Sequence, residues 1–152
     1  MRRRDKKIEE FEDIENILRE ATVCRIGMCK DGSPYVVPVC FGYKKGAIYV
    51  HSASEGRKID ILKNNNRICF EAETDVEVLP SASVCKWSMR YRCVIGFGRA
   101  FFLENEEEKR EAMDVIIEKY SGNRKGENYK KLENVAVIKI VIDSISGKRS
   151  GF

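Results

Sequence analysis

The stretch from Thr22 to Tyr43, TVCRIGMCKDGSPYVVPVCFGY, decides the fold class. Its first part alternates, with Cys24, Ile26 and Met28 on one side and Val23, Arg25 and Gly27 on the other. That period of two predicts a strand over residues 22–29. Lys30 to Pro34 follows and contains Asp31-Gly32, a strong turn signal. A second strand, residues 35–43, begins at once, so the pair predicts a β-hairpin. Pro38 lies inside this second strand, and a proline has no N–H to give a ladder. The position is therefore an edge, a bulge or a place where the sheet opens. An antiparallel hairpin here excludes a doubly wound parallel sheet, and no Gly-x-Gly-x-x-Gly follows the first strand.

Outward from the hairpin the pattern repeats. Phe11, Ile14, Ile17 and Leu18 have helical spacing, which predicts an amphipathic helix over 9–20. Lys44-Lys45-Gly46 makes a turn into a strand over 47–52, then a short helix over 56–65 with Ile59 and Leu62 inward, then a strand over 67–73. Residues 74–83, with Pro80, read as a loop. The longest strand-like stretch, 84–103, is interrupted by Gly96 and Gly98, which predicts a bend or bulge. The best helix spans 105–120: Asn105 can cap it, three glutamates fill its first turn and Gly122 follows its end. A polar loop, 121–133, precedes a final strand over 135–142 and a tail ending in Ser146-Gly147-Lys148-Arg149. Short turns between many strands, with three helices, predict one domain over residues 1–152: mainly β with peripheral helices, an antiparallel barrel.

Composition narrows the function classes. The 152 residues are 43% hydrophobic and carry a net charge of +4, with both signs interspersed, unlike the dense basic face of most nucleic-acid binders. No apolar run nears the length of a membrane span, and the basic start is not followed by an apolar signal segment, so the expected location is cytoplasmic. Six cysteines occur without a Cys-x-x-Cys pair, mostly within apolar runs, and there is one histidine, His51. Such cysteines behave as small hydrophobes, and neither a disulfide scaffold nor a metal site is expected.

Two segments can carry chemistry. The first is His51-Ser52-Ala53-Ser54-Glu55-Gly56-Arg57-Lys58, which joins a strand to a helix through small residues. A helix start offers unpaired N–H groups and a positive dipole end, Ser52 and Ser54 add hydroxyls, and Arg57 and Lys58 add two charges in the first turn. Positive charge there opposes the dipole, and a bound phosphate would offset that. The alternative is a solvated basic pair partly neutralised by Glu55. His51 beside it is a structural hydrogen-bonder or an active-site imidazole. The second segment is Trp87 to Val94, where Trp87, Met89, Tyr91 and Cys93 share one face and Ser88, Arg90 and Arg92 the other. One face packs against a planar ring, or the two are simply core and solvent faces.

With these residues assembled, the chain resembles the pyridoxamine 5′-phosphate oxidase-like FMN-binding split-barrel superfamily, and within it the branch of nitroimidazole-resistance proteins. The motifs are Tyr35-Val36-Val37-Pro38-Val39 with Phe41-Gly42-Tyr43, then His51-Ser52-Ala53 through Gly56-Arg57-Lys58-Ile59, then Trp87 through Ala100. Their order and spacing match from about residue 11 to residue 148. The resemblance implies a split β-barrel and a homodimer with FMN sites shared between subunits. By it, Arg57 and Lys58 grip the FMN phosphate with Ser52 nearby, and Val37, Pro38 and Val39 lie against the isoalloxazine ring. Trp87 also belongs to the cofactor site, and Arg92 and Cys93 approach from the other subunit. His51 matches an active-site histidine of the nitroimidazole-resistance branch. The superfamily often has serine or glutamine where Cys93 stands. The C-terminal basic residues with which the oxidase holds its own substrate have no match, so vitamin B6 oxidation is not expected.

The implied function is an FMN-dependent oxidoreductase passing hydride or electrons to a small planar acceptor, a nitro compound or quinone. The rivals are a non-catalytic FMN- or haem-binding module, for which His51 is the one available imidazole ligand, and a single-strand nucleic-acid binder stacking bases on Trp87, Tyr91 and Phe97. Neither nucleic acid nor a membrane is the expected partner.

Overall fold

The computed structural model describes residues 4–121, 132 and 134–152. The strands are β1 (Lys7–Ile8), β2 (Cys24–Lys30), β3 (Ser33–Val39), β4 (Phe41–Lys44), β5 (Ala47–Ala53), β6 (Arg67–Leu79), β7 (Ser88–Phe102) and β8 (Val135–Ser150). The helices are α1 (Phe11–Glu20), α2 (Arg57–Asn64) and α3 (Glu106–Ser121). The strands form one antiparallel sheet in the order β3-β2-β6-β7-β8-β5-β4, with β1 added to β8.

That order contains the main feature of the architecture. β3 and β4 are the two ends of the sheet, yet in the chain only Cys40 separates them. One residue spans only about 3.5 Å, so the sheet must curl until its edges meet at Cys40. The edges do not pair with each other, and the barrel is split along this seam.

The predicted hairpin is present, with Met28 opposite Tyr35 and Arg25 opposite Pro38. The predicted single strand over 35–43 is two strands, because the chain changes partner at Cys40: residues 33–39 pair with β2 and residues 41–44 with β5. The predicted loop over 74–83 is strand as far as Leu79. β6 crosses a bulge between Thr74 and Glu77, where Asp75 takes φ 57°, and keeps pairing with β7. The tail over 146–149 is also strand, since β8 runs on beside β7 and β1 to Ser150. The irregularity expected near Gly96 and Gly98 is a register shift against β8 between Phe97 and Gly98. At Gly96 a Cβ would come 2.2 Å from Cζ of the buried Phe70, so a side chain there would collide with the core. The expected stop at Gly122 and most of the polar loop over 121–133 lie outside the described residues.

The core fills the inside of the curled sheet with Ile26, Phe41, Ile48, Val50, Phe70, Val94, Ile138 and Ile140. α1 adds Ile14, Ile17 and Leu18, and α2 adds Ile59, Ile61 and Leu62. α3 is anchored by polar contacts at its end. The Tyr120 hydroxyl accepts from the Phe41 N–H at 3.0 Å and donates to the Thr22 carbonyl at 2.8 Å. Lys119 Nζ donates to the carbonyls of Leu18 and Arg19 at 2.7 and 2.8 Å, capping the last turn of α1. Burial pushes the Lys119 ammonium down to about 8. All six cysteines are free thiols. Among the described residues, no helix is long and apolar enough to cross a membrane.

Candidate functional site

The seam leaves two strand edges open. β3 pairs on one side only, with β2. β5 pairs with β4 only from Ala47 to Val50, so among the described residues the edge of His51, Ser52 and Ala53 facing away from β8 runs past the start of β4 without a strand partner. Pro38 thus lies on an edge strand. It is exposed, while Val37 and Val39 are half-buried against the core.

From Ala53 the chain passes through Ser54 to Gly56 and enters α2. Gly56 has φ 112° and ψ 171°, a conformation that side-chain-bearing residues rarely adopt. No side chain caps the helix. Its first internal bond runs from the Asp60 N–H to the Gly56 carbonyl at 3.0 Å, so the amides of Arg57, Lys58 and Ile59 have no intrahelical acceptor. Among the described residues, a Cβ built on Gly56 meets nothing within 4 Å.

Two cations stand at this start. The Arg57 guanidinium lies over the Tyr35 ring, 4.7 Å from its centroid, and so leans toward β3. Lys58 sits on the β5 side, where its charge acts on His51. Burial pushes the Lys58 ammonium below its usual value. His51 is held below its ordinary value first by burial and then by Lys58. Among the described residues neither Arg57 nor Lys58 makes an ion pair, and Glu55, which the alternative of a solvated basic pair set beside them, makes none either. The structure therefore gathers His51, Ser52, Arg57, Lys58 and the β3 edge at one end of the seam. Tyr35 is the site residue the sequence reading left in a motif without a role.

Trp87, Arg92 and Cys93 stand elsewhere, on or just before β7. No hydrogen bond, ion pair or ring contact among the described residues links them to α2 of the same chain. Trp87 is exposed and its indole N–H donates to the Ser81 carbonyl at 2.9 Å. Arg92 is held by Glu20 at 3.0 Å and by Asp75, which keep its guanidinium firmly protonated. Cys93 is buried, and burial, followed by the charge of Glu71, pushes its thiol up, away from a reactive thiolate.

The outer face of the sheet is apolar at its centre. Val36, Gly27, Cys69 and Phe97 lie in register across β3, β2, β6 and β7. They line a groove of about 690 Å³, and Val36 and Phe97 are 62% and 57% exposed. Ile95 and Phe101 continue the exposed stripe.

A mainly antiparallel sheet curled into an unclosed barrel, with a basic, uncapped helix start at the split, defines a split-barrel protein. The chain belongs to the pyridoxamine 5′-phosphate oxidase family, whose model matches residues 10–149. A candidate 5-nitroimidazole antibiotic resistance protein of Bacteroides thetaiotaomicron VPI-5482 is 35% identical, over 94% of this chain and 86% of that one, with a TM-score of 0.83. Two further structures share the fold at lower identity. The flavocytochrome Anf3 of Azotobacter vinelandii is 22% identical with a TM-score of 0.85, over 100% of this chain and 72% of that one. An FAD and haem binding protein of Mycobacterium smegmatis is 20% identical with a TM-score of 0.86, over 97% and 74%. Among curated proteins, an uncharacterized protein of Rhizobium meliloti (strain 1021) is 25% identical over 60 residues, which is 40% of this chain and 39% of that protein.

Proposed function

We propose that this chain is an FMN-dependent oxidoreductase whose cofactor phosphate sits at the start of α2. The observation that carries the reading is the pair Arg57 and Lys58, two cations that among the described residues have no ion-pair partner, at an uncapped helix start beside two strand edges. Cations in a first turn raise the energy of the helix, because the dipole already makes that end positive. A phosphate monoester turns the repulsion into attraction and takes bonds from the free amides, a guanidinium fork and an ammonium. The residues present thus fit the phosphate end of FMN, and the descriptions of the flavin-binding relatives favour the same ligand class.

FMN, when bound, supplies hydride and single-electron transfer. The chain's own residues do the rest. Arg57 and Lys58 hold the phosphate and, with the Ser52 hydroxyl, fix how far the ligand reaches along the seam. The exposed edge of Val37, Pro38 and Val39 offers backbone groups to a planar ring without competition from a neighbouring strand. His51, neutral near pH 7, can accept a proton at this end of the seam or return one. A small planar acceptor, a nitro compound or quinone, is the substrate class we assign, in keeping with the Bacteroides relative's description.

The active unit in this reading is a homodimer. A second copy would cover the stripe of Val36, Ile95, Phe97 and Phe101 and bring its Trp87, Arg92 and Cys93 toward the seam. A monomer at micromolar concentration in sedimentation velocity overturns the shared site.

The test is the absorbance spectrum of protein incubated with FMN and freed of unbound ligand. Flavin bands near 370 and 450 nm, on the order of what any bound flavin gives, with retention lost in Arg57→Ala/Lys58→Ala, support the reading. A colourless protein overturns it. An intense single band near 400 nm after incubation with haem, lost in His51→Ala, transfers the site to haem.

A further inference from the structure

Arg57 is an exposed arginine on the first turn of a helix, and among the described residues no carboxylate pairs with it to fix its direction. Such a side chain has rotamer freedom to lose before it can hold anything. In this chain the freedom is restricted in advance. Tyr35 lies on the inward-facing side of β3, opposite the buried Met28 and packed against the core. Because β3 is an edge strand, no further strand covers its ring on the seam side. The Arg57 guanidinium covers it, 4.7 Å from the ring centroid. That is within the range of a cation–π contact, and stacking leaves the guanidinium's in-plane N–H donors free for an anion.

We propose that Tyr35 is a positioning residue: its ring holds the Arg57 guanidinium on the β3 side of the seam, with its donors presented to the phosphate of the ligand. This rests on the phosphate reading of the α2 start. It divides the two cations by function. Arg57, clamped by Tyr35, sets geometry on the β3 side, and Lys58, beside His51, supplies charge on the β5 side. Tyr35 touches no phosphate itself, so its effect must pass through Arg57.

The experiment compares the affinities of FMN and riboflavin, which lacks the phosphate, by flavin fluorescence quenching. Wild-type protein, Tyr35→Leu, Tyr35→Phe, Arg57→Ala and Tyr35→Leu/Arg57→Ala are measured. Leucine keeps the apolar bulk that faces the core. Tyr35→Leu is expected to weaken FMN about five- to tenfold, the size of a partly desolvated cation–π contact, and to leave riboflavin unchanged. Tyr35→Phe keeps the ring and restores wild-type binding. The double variant binds FMN no more weakly than Arg57→Ala. A merely structural Tyr35 would weaken both flavins together, or would add its loss to that of Arg57→Ala, and either result overturns the inference.

If Tyr35→Leu fails to fold, singly to triply fluorinated phenylalanine at position 35 preserves shape while emptying the ring face of charge. FMN affinity is then expected to fall stepwise, and a flat series overturns the inference. Wild-type protein that binds no FMN overturns the functional reading itself. Wild-type binding that is lost in Arg57→Ala but kept in Tyr35→Leu overturns only the role given to Tyr35.

Discussion

Two helices of this chain begin in opposite ways. At α3, Asn105 Oδ1 accepts from the amides of Glu107 and Glu108 at 2.9 and 3.2 Å, and Glu106, Glu107 and Glu108 place negative charge against the positive end of the dipole. At α2, the residue before the helix is a glycine at φ 112°, no side chain caps it, and the first two residues are Arg57 and Lys58. The first start is arranged for stability, and the second sets two cations against the dipole with Asp60 as the first-turn acid. A chain that can write the favourable start and does not do so at the seam has another use for that end. In the proposed function this contrast marks the place where a ligand completes the structure.

The largest effect that would test this contrast is on ligand affinity. Arg57→Ala/Lys58→Ala removes two charge-assisted partners, and about 3 kcal/mol, roughly a hundredfold in FMN affinity, should be lost. The same double change should alter thermal stability without ligand by less than about 1 kcal/mol, because relief of the repulsion with the dipole offsets the lost contact of Arg57 with Tyr35. A parallel loss of stability would mean the pair is structural, and the two helix starts would then differ only in detail.

Gly56→Ala comes next. The residue must hold φ 112°, and forcing a side chain into such a conformation costs about 1–3 kcal/mol. Chemical denaturation should show that loss, with FMN retention falling alongside as the helix start shifts. Unchanged stability would show that the entry to α2 can relax, and that the amides there are not held in place. Asn105→Ala sharpens the comparison from the other side. Losing the cap of α3 should cost about 1 kcal/mol of stability and leave FMN affinity untouched, since Asn105 stands at the opposite end of α3 from Tyr120, which bonds to Phe41 beside the seam.

The parts legible in the sequence were those with a local signal. The hairpin showed in its alternation and Asp31-Gly32 turn, the cap of α3 in Asn105, and the phosphate candidate in Arg57 and Lys58 after small residues. The split at Cys40 left no such signal. Tyr35, Val37 and Val39 point inward before it and Phe41 inward after it, so the alternation carries on while the hydrogen-bonding partner changes from β2 to β5. Pairing is a long-range property, and the period of two registers only which face is buried. The ends of β6 and β8 were hidden for a related reason. Glu77, Asp143, Ser144 and Lys148 are polar because they project outside the barrel, and a one-sided polar strand edge resembles a loop or a tail. The contact of Tyr35 with Arg57 joins residues far apart in the chain and could not be read from either segment alone.

The smallest expected effect concerns the proton on His51. Burial, and then the Lys58 charge, hold the folded imidazole below its usual 6.5. Between the folded value and 6.5 the unfolded chain binds a proton that the folded protein has released. Stability without ligand therefore rises with pH through that window and falls as pH drops across it. A bound phosphate acts in the opposite direction, because its negative charge favours the imidazolium. FMN binding should then take up a fraction of a proton near pH 6, detectable as a buffer-dependent enthalpy in calorimetry. The phosphate of FMN titrates in the same range, with a second pKa of about 6, so the informative quantity is the difference between wild-type protein and His51→Gln. Lys58→Met should move the His51 titration, followed by NMR of the chain's single histidine, upward in the free protein. It should also shrink the upward shift on adding FMN, because less of the phosphate is then held at the β5 side. A His51 titration indifferent to Lys58 would separate the two residues, and the charge of the α2 start would then not reach the imidazole.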